Sequence, residues 1–183
     1  LYINGHVTGN SPYLTFEWKT DNESKYHEVQ TRLIGEYNFP NALAAVTIGH
    51  FFGVEPEKID KALAGYTPQN NRSQLKKTAD NTLIIDAYNA NPTSMMASIS
   101  NFRNMQAENK MLILGDMREL GKDSADEHQK IADYLEECGF KDVVLVGELF
   151  AATRHSYQSY PDVTALIAEL QREKPCGKTI LIK

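Results

Sequence analysis

A chain of 183 residues has room for one generous domain, or for one domain and part of another. Its net charge of −5, without basic clusters, argues against nucleic acid or a membrane surface as the main partner. No apolar run approaches a membrane span, no signal peptide is visible, and Cys138 and Cys176 lack metal-ligand spacing, so we expect reduced thiols in a cytoplasmic protein.

The first part of the chain, residues 1–36, predicts β-structure. Residues 14–18 and 29–34 alternate apolar and polar side chains, as half-buried strands do. The chain opens inside a strand-like stretch without an initiator methionine, and it stops inside another at residues 179–183. We therefore expect it to be a segment of a longer polypeptide.

Two helices are predicted between residues 38 and 66. Asn38 or Asn41 can cap the first helix, and Gly53 suits the position just after its end. Pro56 suits the first turn of the second helix, which Gly65 ends.

Polar residues at 67–73 break the periodicity and predict a domain boundary near residue 70. Beyond it, strands and helices alternate: strands at residues 82–86, 110–114, 142–146 and 179–182, and helices near residues 94–107, 125–138 and 163–173. This alternation implies right-handed crossovers and an α/β fold with a Rossmann-like, doubly wound, mainly parallel sheet. We expect a β-then-α region at residues 1–70 and this α/β domain at residues 71–183.

The stretch from residue 82 to residue 96 carries the clearest pattern of a site. A buried strand ends on Asp86, a polar loop follows, and Thr93 or Ser94 caps a helix. The loop carries Tyr88, Asn89 and Asn91. Its amides offer donors and acceptors to a ligand, or can bond their own backbone before Pro92. The pattern predicts a ligand site at the carboxyl edge of the sheet.

Acidic residues also follow the next two predicted strands, at Asp116, Glu119 and Glu148. In a parallel sheet they share one edge with Asp86, where carboxylates can bind ribose, hold a metal or orient an amine. The alternative is that they only form turns and cap helices.

Arg72 is either a phosphate or ribose clamp or a solvated linker charge. His128 is either a structural hydrogen-bonding group or a catalyst.

Two stretches come close to a phosphate-binding loop and fail. Between Gly115 and Gly121-Lys122 there are five residues, and Asp123 stands where Ser or Thr is required. The Gly-Lys-Thr at residues 177–179 has Arg172 in place of the first glycine and precedes a strand. The chain therefore holds no nucleotide phosphate cradle of this kind.

Three motifs together resemble the Mur ligase family. Residues 88–92 read YNANP after Asp86, and residues 115–121 read GDMRELG, followed by Ser124 and His128. This pair is similar to the MurF branch, which joins D-alanyl-D-alanine to UDP-N-acetylmuramoyl-tripeptide. Residues 35–45, GEYNFPNALAA, resemble the G-x-H-N-x-x-N-x-x-A-A motif of Mur ligases in general. The resemblance covers nearly the whole chain.

The resemblance implies an ATP- and Mg²⁺-dependent ligase of peptidoglycan precursor synthesis, and hence of cell-wall biogenesis, cell shape and cell division. The protein is expected to be a cytoplasmic monomer and to act through an acyl phosphate. The chain would hold the end of the central ATP-binding domain, to residue 70, and most of the C-terminal domain. The P-loop lysine and most magnesium ligands would lie upstream. No catalytic or metal-binding residue is therefore expected here, and the segment is expected to be inactive alone.

Residue roles follow from the resemblance position by position. It implies an adenine contact from Asn41, with Asn38 as its companion. It implies a ribose or phosphate contact from Arg72 and a ribose contact from Asp86. It places further residues where the C-terminal domain closes on ATP and dipeptide: Tyr88, Asn89, Asn91, Asp116, Glu119 and His128. Three positions depart from the family pattern, namely Tyr37 for His, Asn71 for Gly and Ile85 for Asp.

Two other interpretations stay open. The chain can belong to another amide-bond ligase of the same superfamily, similar to folylpolyglutamate or cyanophycin synthetases. It can also be a non-catalytic α/β binding module. Upstream sequence with a phosphate-binding loop would favour a ligase, and an immediate start codon would favour the module.

Overall fold

The computed structural model describes residues 2–183, and the chain divides into two compact units between Gln69 and Asn70. No helix among the described residues is long and apolar enough to cross a membrane. The first unit contains β1 (Ile3–Asn10), β2 (Tyr13–Thr20), β3 (His27–Ile34), α1 (Phe39–Phe51) and α2 (Pro56–Gly65).

In the first unit the three strands form an antiparallel sheet in the order β1-β2-β3. Its core comes from the inward-facing side of the strands and from both helices: Leu14, Phe16, Trp18, Val29, Ala42, Val46 and Ile59 are all buried. The strands predicted at residues 14–18 and 29–34 are confirmed and run slightly longer. Pro56 begins α2 as predicted, and Gly53 adopts φ +75° just beyond α1.

Neither asparagine caps α1 through its side chain, contrary to expectation. Asn38 stands at the cap position without a side-chain cap bond, and its Nδ2 donates to the Ile34 carbonyl over 2.8 Å. Asn41 lies inside the first turn, since the helix begins at Phe39.

The second unit is an α/β sandwich. Its elements are β4 (Gln74–Lys77), β5 (Thr82–Ile85), α3 (Pro92–Asn104), β6 (Lys110–Gly115), α4 (Ser124–Glu137), β7 (Val143–Val146), α5 (Glu148–Ala151), β8 (Gln158–Tyr160), α6 (Val163–Arg172) and β9 (Thr179–Ile182). The sheet order is β4-β5-β9-β6-β7-β8, and every pairing is parallel except that of β4 with β5. The predicted α/β class with a mainly parallel sheet is confirmed.

Helices cover both faces of this sheet because the chain reverses its direction across it. The crossovers from β5 to β6 and from β6 to β7 run one way, whereas the crossover through α6 runs back to β9. Right-handed crossovers therefore place α3 and α4 on one face and α6 on the other. On the α6 face, Leu166 packs with Met111, Val144 and Ile180. Leu112, Leu145 and Leu181 alternate with them and are also buried.

The helix after the polar loop begins two residues earlier than predicted. Asn91, rather than Thr93 or Ser94, is its cap residue. The Asn91 Oδ1 accepts from the Ser94 N–H over 2.8 Å, and the Asn91 N–H donates to the Ser94 Oγ over 3.2 Å. Pro92 then occupies the first helical position, where its missing N–H leaves no bond unmade.

Candidate functional site

The strand ends of the second unit meet at one edge, as expected of parallel strands. The Asp86 N–H donates to the Ile182 carbonyl over 2.9 Å, and the Gly115 N–H donates to the Lys183 carbonyl over 2.8 Å. The Asp116 N–H donates to the Val146 carbonyl over 3.0 Å. The carboxyl ends of four strands, β5, β9, β6 and β7, are thereby brought together.

A cleft of about 920 Å³ opens at this edge, and we call it the edge cleft. Its floor is apolar and is formed by Ile113, Val146, Leu166 and Ile182. Charged side chains also line it: Asp116, Arg118, Glu148, Asp162 and Lys183. An apolar floor with a few charged groups of both signs can bind a ligand that carries both apolar and charged groups.

Asp116 holds the start of α5. Its Oδ1 accepts from the Phe150 N–H over 2.9 Å, and its Oδ2 accepts from the Leu149 N–H over 3.1 Å. Gly147 adopts φ +123°, and a Cβ there would lie 2.1 Å from the Asp116 Cγ. This position therefore requires glycine if the carboxylate is to stay in place.

His128 is fully buried and both ring nitrogens are engaged. Its Nε2 accepts from the Met117 N–H over 2.9 Å, and its Nδ1 lies 2.6 Å from the Ser124 carbonyl. These partners assign the proton to Nδ1. The Nε2 also lies 3.8 Å from the Asp116 Oδ1. That contact is not an ion pair in the neutral tautomer that the Met117 bond selects. The arrangement supports the structural alternative for His128.

Asp86 forms a buried ion pair with Lys183. The Lys183 Nζ lies 2.9 Å from the Asp86 Oδ2, and the two side chains are 4% and 12% exposed. The same Nζ donates to the Asn89 carbonyl over 3.1 Å. The Asp86 Oδ2 also accepts from the Ser98 Oγ over 2.6 Å, and the Oδ1 accepts from Ser73. This full set of partners argues against the direct ribose contact expected for Asp86.

Arg72 stacks on the polar loop. Its guanidinium carbon lies 3.6 Å from the centroid of the Tyr88 ring, and both side chains are exposed. Asn71 and Ser73, on either side of Arg72, adopt φ +53° and +48°. The two sequence-predicted residues are thus brought together, and the stack limits the conformations that the guanidinium samples.

The remaining predicted residues make local contacts. Asn89 Oδ1 accepts from the Ala90 N–H over 2.8 Å, and Asn91 is the cap of α3. Glu119 is exposed at φ +67°. Asn41 is exposed in the first unit, where its Nδ2 lies 3.4 Å from the Asn38 Oδ1. Residues 2–183 contain no group of three or more His, Cys, Asp or Glu side chains that could hold a metal.

Sequence reasoning missed Lys183 at this edge, and it also missed the cleft residues Arg118 and Asp162. A usable signal exists, since the apolar strand at residues 179–182 ends on a lysine while a neighbouring strand ends on Asp86. Without the strand order, however, nothing indicates that β5 and β9 are adjacent.

One protein family and two relatives of the same name are similar to this chain. Residues 71–183 match the family described as "Mur ligase, glutamate ligase domain". The UDP-N-acetylmuramoyl-tripeptide–D-alanyl-D-alanine ligase of Bacillus subtilis is 45% identical over 91 residues, which cover 49% of this chain and 20% of the relative. The protein of the same name from Escherichia coli is 30% identical over 172 residues, covering 92% of this chain and 37% of the relative.

Solved structures show the same likeness. MurF from Acinetobacter baumannii superposes with a TM-score of 0.76 at 28% identity, over 97% of this chain and 40% of that one. MurF from Thermotoga maritima in complex with ADP gives a TM-score of 0.80 at 16% identity, over 98% and 42%. A folylpolyglutamate synthase from Thermotoga maritima gives a TM-score of 0.64 at 13% identity, over 98% and 43%. The last two likenesses show the fold alone, and this chain spans less than half the length of each protein.

Proposed function

The chain belongs to the Mur ligase family, whose glutamate ligase domain matches residues 71–183, and from this we propose that it is part of an enzyme that joins D-alanyl-D-alanine to UDP-N-acetylmuramoyl-tripeptide. The observation that carries the proposal is the sequence likeness to MurF proteins, at 45% identity over 91 residues and 30% over 172. We place this activity in cytoplasmic synthesis of the peptidoglycan precursor, with residues 1–70 as the end of the ATP-binding domain.

The nucleotide side of the site is proposed to use Asn38, Asn41 and Arg72. Arg72 supports this assignment because it is exposed and its guanidinium carbon lies 3.6 Å from the centroid of the Tyr88 ring, which leaves an oriented guanidinium for phosphate or ribose oxygens. Asp86 is not proposed to contact the nucleotide and acts only through its hydrogen bonds and ion pair within the protein. When bound, Mg²⁺ would neutralise charge on the transferred phosphoryl group, and most of its ligands would lie in the part of the polypeptide that precedes these residues.

The dipeptide is proposed to bind in the edge cleft. The apolar floor with Ile113 and Ile182 suits the two methyl groups of D-Ala-D-Ala. Arg118 offers a guanidinium for its carboxylate, and Asp116 and Glu148 offer negative charge for its amine. The loops around the edge cleft are proposed to be kept in shape by four further residues: Asn89, Asn91, Glu119 and His128.

The proposed reaction has two steps. A carboxylate oxygen of the tripeptide attacks the γ-phosphorus of ATP, and ADP leaves. The deprotonated amine of D-Ala-D-Ala then attacks the carbonyl carbon of the acyl phosphate, and phosphate leaves as the amide forms. The chain contributes by orienting the amine and the nucleotide, which lowers the entropic part of the barrier.

Phosphate release by the full-length polypeptide that contains these residues tests the proposal. Release should require ATP, UDP-N-acetylmuramoyl-tripeptide and D-Ala-D-Ala together, whereas the 183-residue chain alone should bind ATP weakly and release none. A preference for L-glutamate and a folate would instead identify a folylpolyglutamate synthase. Full activity of the isolated chain, or no ligase activity in the full-length polypeptide, would contradict the proposal.

A further inference from the structure

The Lys183 side chain is buried where it both lines the edge cleft and contacts the polar loop at Asn89. Its backbone is fixed in the sheet, since its N–H donates to the Ile113 carbonyl over 3.0 Å and its carbonyl accepts from the Gly115 N–H over 2.8 Å. Its side chain is 4% exposed and lines the edge cleft. A buried ammonium needs a counter-charge and hydrogen-bond acceptors. Asp86 and the Asn89 carbonyl provide them, at 2.9 and 3.1 Å.

Asp86 in turn joins three separate segments. Its Oδ1 accepts from the Ser73 N–H at 3.0 Å and lies 3.4 Å from the Ser73 Oγ. Its Oδ2 accepts from the Ser98 Oγ at 2.6 Å and from Lys183. An ionised carboxylate has about four acceptor positions, and these donors account for all of them. The carboxylate therefore works as an internal anchor.

Both partners of the Arg72–Tyr88 stack are adjacent in sequence to a residue that this ion pair holds. Ser73, bonded to Asp86, follows Arg72, and Asn89, bonded to Lys183, follows Tyr88. The backbone at Ser73 has φ +48°, a conformation that an L-residue keeps only when its surroundings impose it. The Asp86 bond to the Ser73 N–H is one such constraint.

We propose that Lys183 is a positioning residue, which fixes the Arg72–Tyr88 stack through Asp86 and Asn89 and so links the wall of the edge cleft to the nucleotide-binding surface. The structural part of this inference stands on contacts within residues 70–183. Its kinetic consequence rests on the proposed function.

Amide hydrogen exchange of the 183-residue chain, resolved by residue with NMR, tests the structural part. Lys183→Met should speed exchange at Ser73 and at the loop amides 87–91 by about tenfold or more, the factor that loss of one charge-assisted bond represents. The matched control is Lys178→Met, which removes a lysine at the opposite end of β9 that pairs with Asp142. It should leave these amides unchanged.

The double variant Asp86→Asn with Lys183→Met covers the case in which Lys183→Met alone fails to fold. It removes both charges, so no unpaired charge stays buried, and the amide oxygen that replaces the Asp86 carboxylate can still accept from the Ser73 N–H. Exchange should then recover at Ser73 but stay fast at residues 87–91, where the bond to Asn89 is missing. The proposal would be overturned if the folded double variant exchanged slowly both at Ser73 and at residues 87–91. It would also be overturned if Lys178→Met accelerated exchange at these amides as much as Lys183→Met does.

Steady-state kinetics of the full-length polypeptide test the kinetic consequence. In Lys183→Met, or in the double variant, the KM for ATP should rise about tenfold while Lys178→Met leaves it unchanged. An unchanged KM for ATP in a folded variant would contradict the link to the nucleotide. If the wild type shows no D-Ala-D-Ala-dependent activity, the proposed function fails, while the exchange experiment still decides the role of Lys183.

Discussion

Two lysines of the second unit, five positions apart at the two ends of β9, each pair with an aspartate, and their surroundings differ. Lys178 and Asp142 have side chains that are 31% and 39% exposed, whereas Lys183 and Asp86 are 4% and 12% exposed. Water screens the first pair, and such pairs contribute about 0–1 kcal/mol. The second pair is largely shielded from solvent, so its remaining hydrogen-bond donors and acceptors need partners within the protein. The two pairs carry the same charges and differ in burial, so burial is what gives the Asp86–Lys183 pair its structural role at the candidate site.

Neutralising one partner in each pair is expected to give the largest contrast. Asp86→Asn leaves the Lys183 ammonium buried without a counter-charge, and this should lower the free energy of unfolding by about 3–5 kcal/mol. Asp142→Asn should lower it by about 1 kcal/mol or less. Urea denaturation of the 183-residue chain, followed by NMR signals of residues 70–183, measures both. Equal losses would show that the burial difference does not matter.

A second comparison concerns two glycines with positive φ, one in crowded and one in open surroundings. Gly147→Ala should cost about 2–3 kcal/mol, because its Cβ would lie 2.1 Å from the Asp116 Cγ at φ +123°. Gly139→Ala, at φ +73° with open space around it, should cost about 1 kcal/mol. Thermal denaturation compares the two. A smaller loss for Gly147→Ala would mean that Asp116 moves freely and does not need its present position.

A smaller effect is expected at the Arg72–Tyr88 stack, because both side chains are exposed. Tyr88→Leu should weaken ATP binding by the full-length polypeptide about two- to fivefold, the equivalent of about 0.5–1 kcal/mol. Tyr88→Phe keeps the ring face and should bind like the wild type. Equilibrium titration with ATP measures both variants. Equal weakening by Phe and Leu would assign the effect to the hydroxyl instead of the ring.

A pH-dependent effect is expected at the partly exposed Glu23 in the first unit. The pKa of Glu23 falls from 4.5 to about 2, chiefly because the Thr20 N–H donates to it, and also through the Thr20 hydroxyl and His27. A lowered pKa means that its stabilisation is complete above pH 4.5 and is lost as the pH falls toward 2. Glu23→Gln should therefore flatten the decline of the urea midpoint between about pH 4.5 and pH 2. Trp18 fluorescence reports on this unit, and an unchanged pH profile would contradict the assignment.

Much of the fold could be predicted because apolar runs and helical spacing mark its buried elements. The parallel strands near residues 82–86, 110–114, 142–146 and 179–182 are all present, while β4, α5 and β8 were missed. These three are short, with three or four residues each. The β4 sequence QLKK and the β8 sequence QSY carry too few apolar residues to form a pattern, since both strands lie at the edges of the sheet.

The location of the site could be predicted from the sequence, but the contacts and the role of each side chain could not. Asp86 and Asp116 follow parallel strands, so their place at one edge follows from the alternation of strands and helices. Their hydrogen-bond partners do not. Asp116 accepts from Phe150, 34 residues away, and Asp86 pairs with Lys183, 97 residues away. A carboxylate that binds the protein's own backbone and one that is free to bind a ligand have the same sequence pattern when the hydrogen-bond donors lie so far away along the chain.

The position of β9 also has a consequence for how the second unit folds. This strand lies between β5 and β6, although within residues 2–183 it follows the other five strands of the sheet in chain order. Before it inserts, the sheet consists of two separate pieces, β4-β5 and β6-β7-β8, each with an unpaired edge. Because the contact between Asp86 and Lys183 that closes them spans 97 residues, we expect slow, late closure. During that interval the open edges of β5 and β6 can pair with other chains, so refolding yield should fall as protein concentration rises.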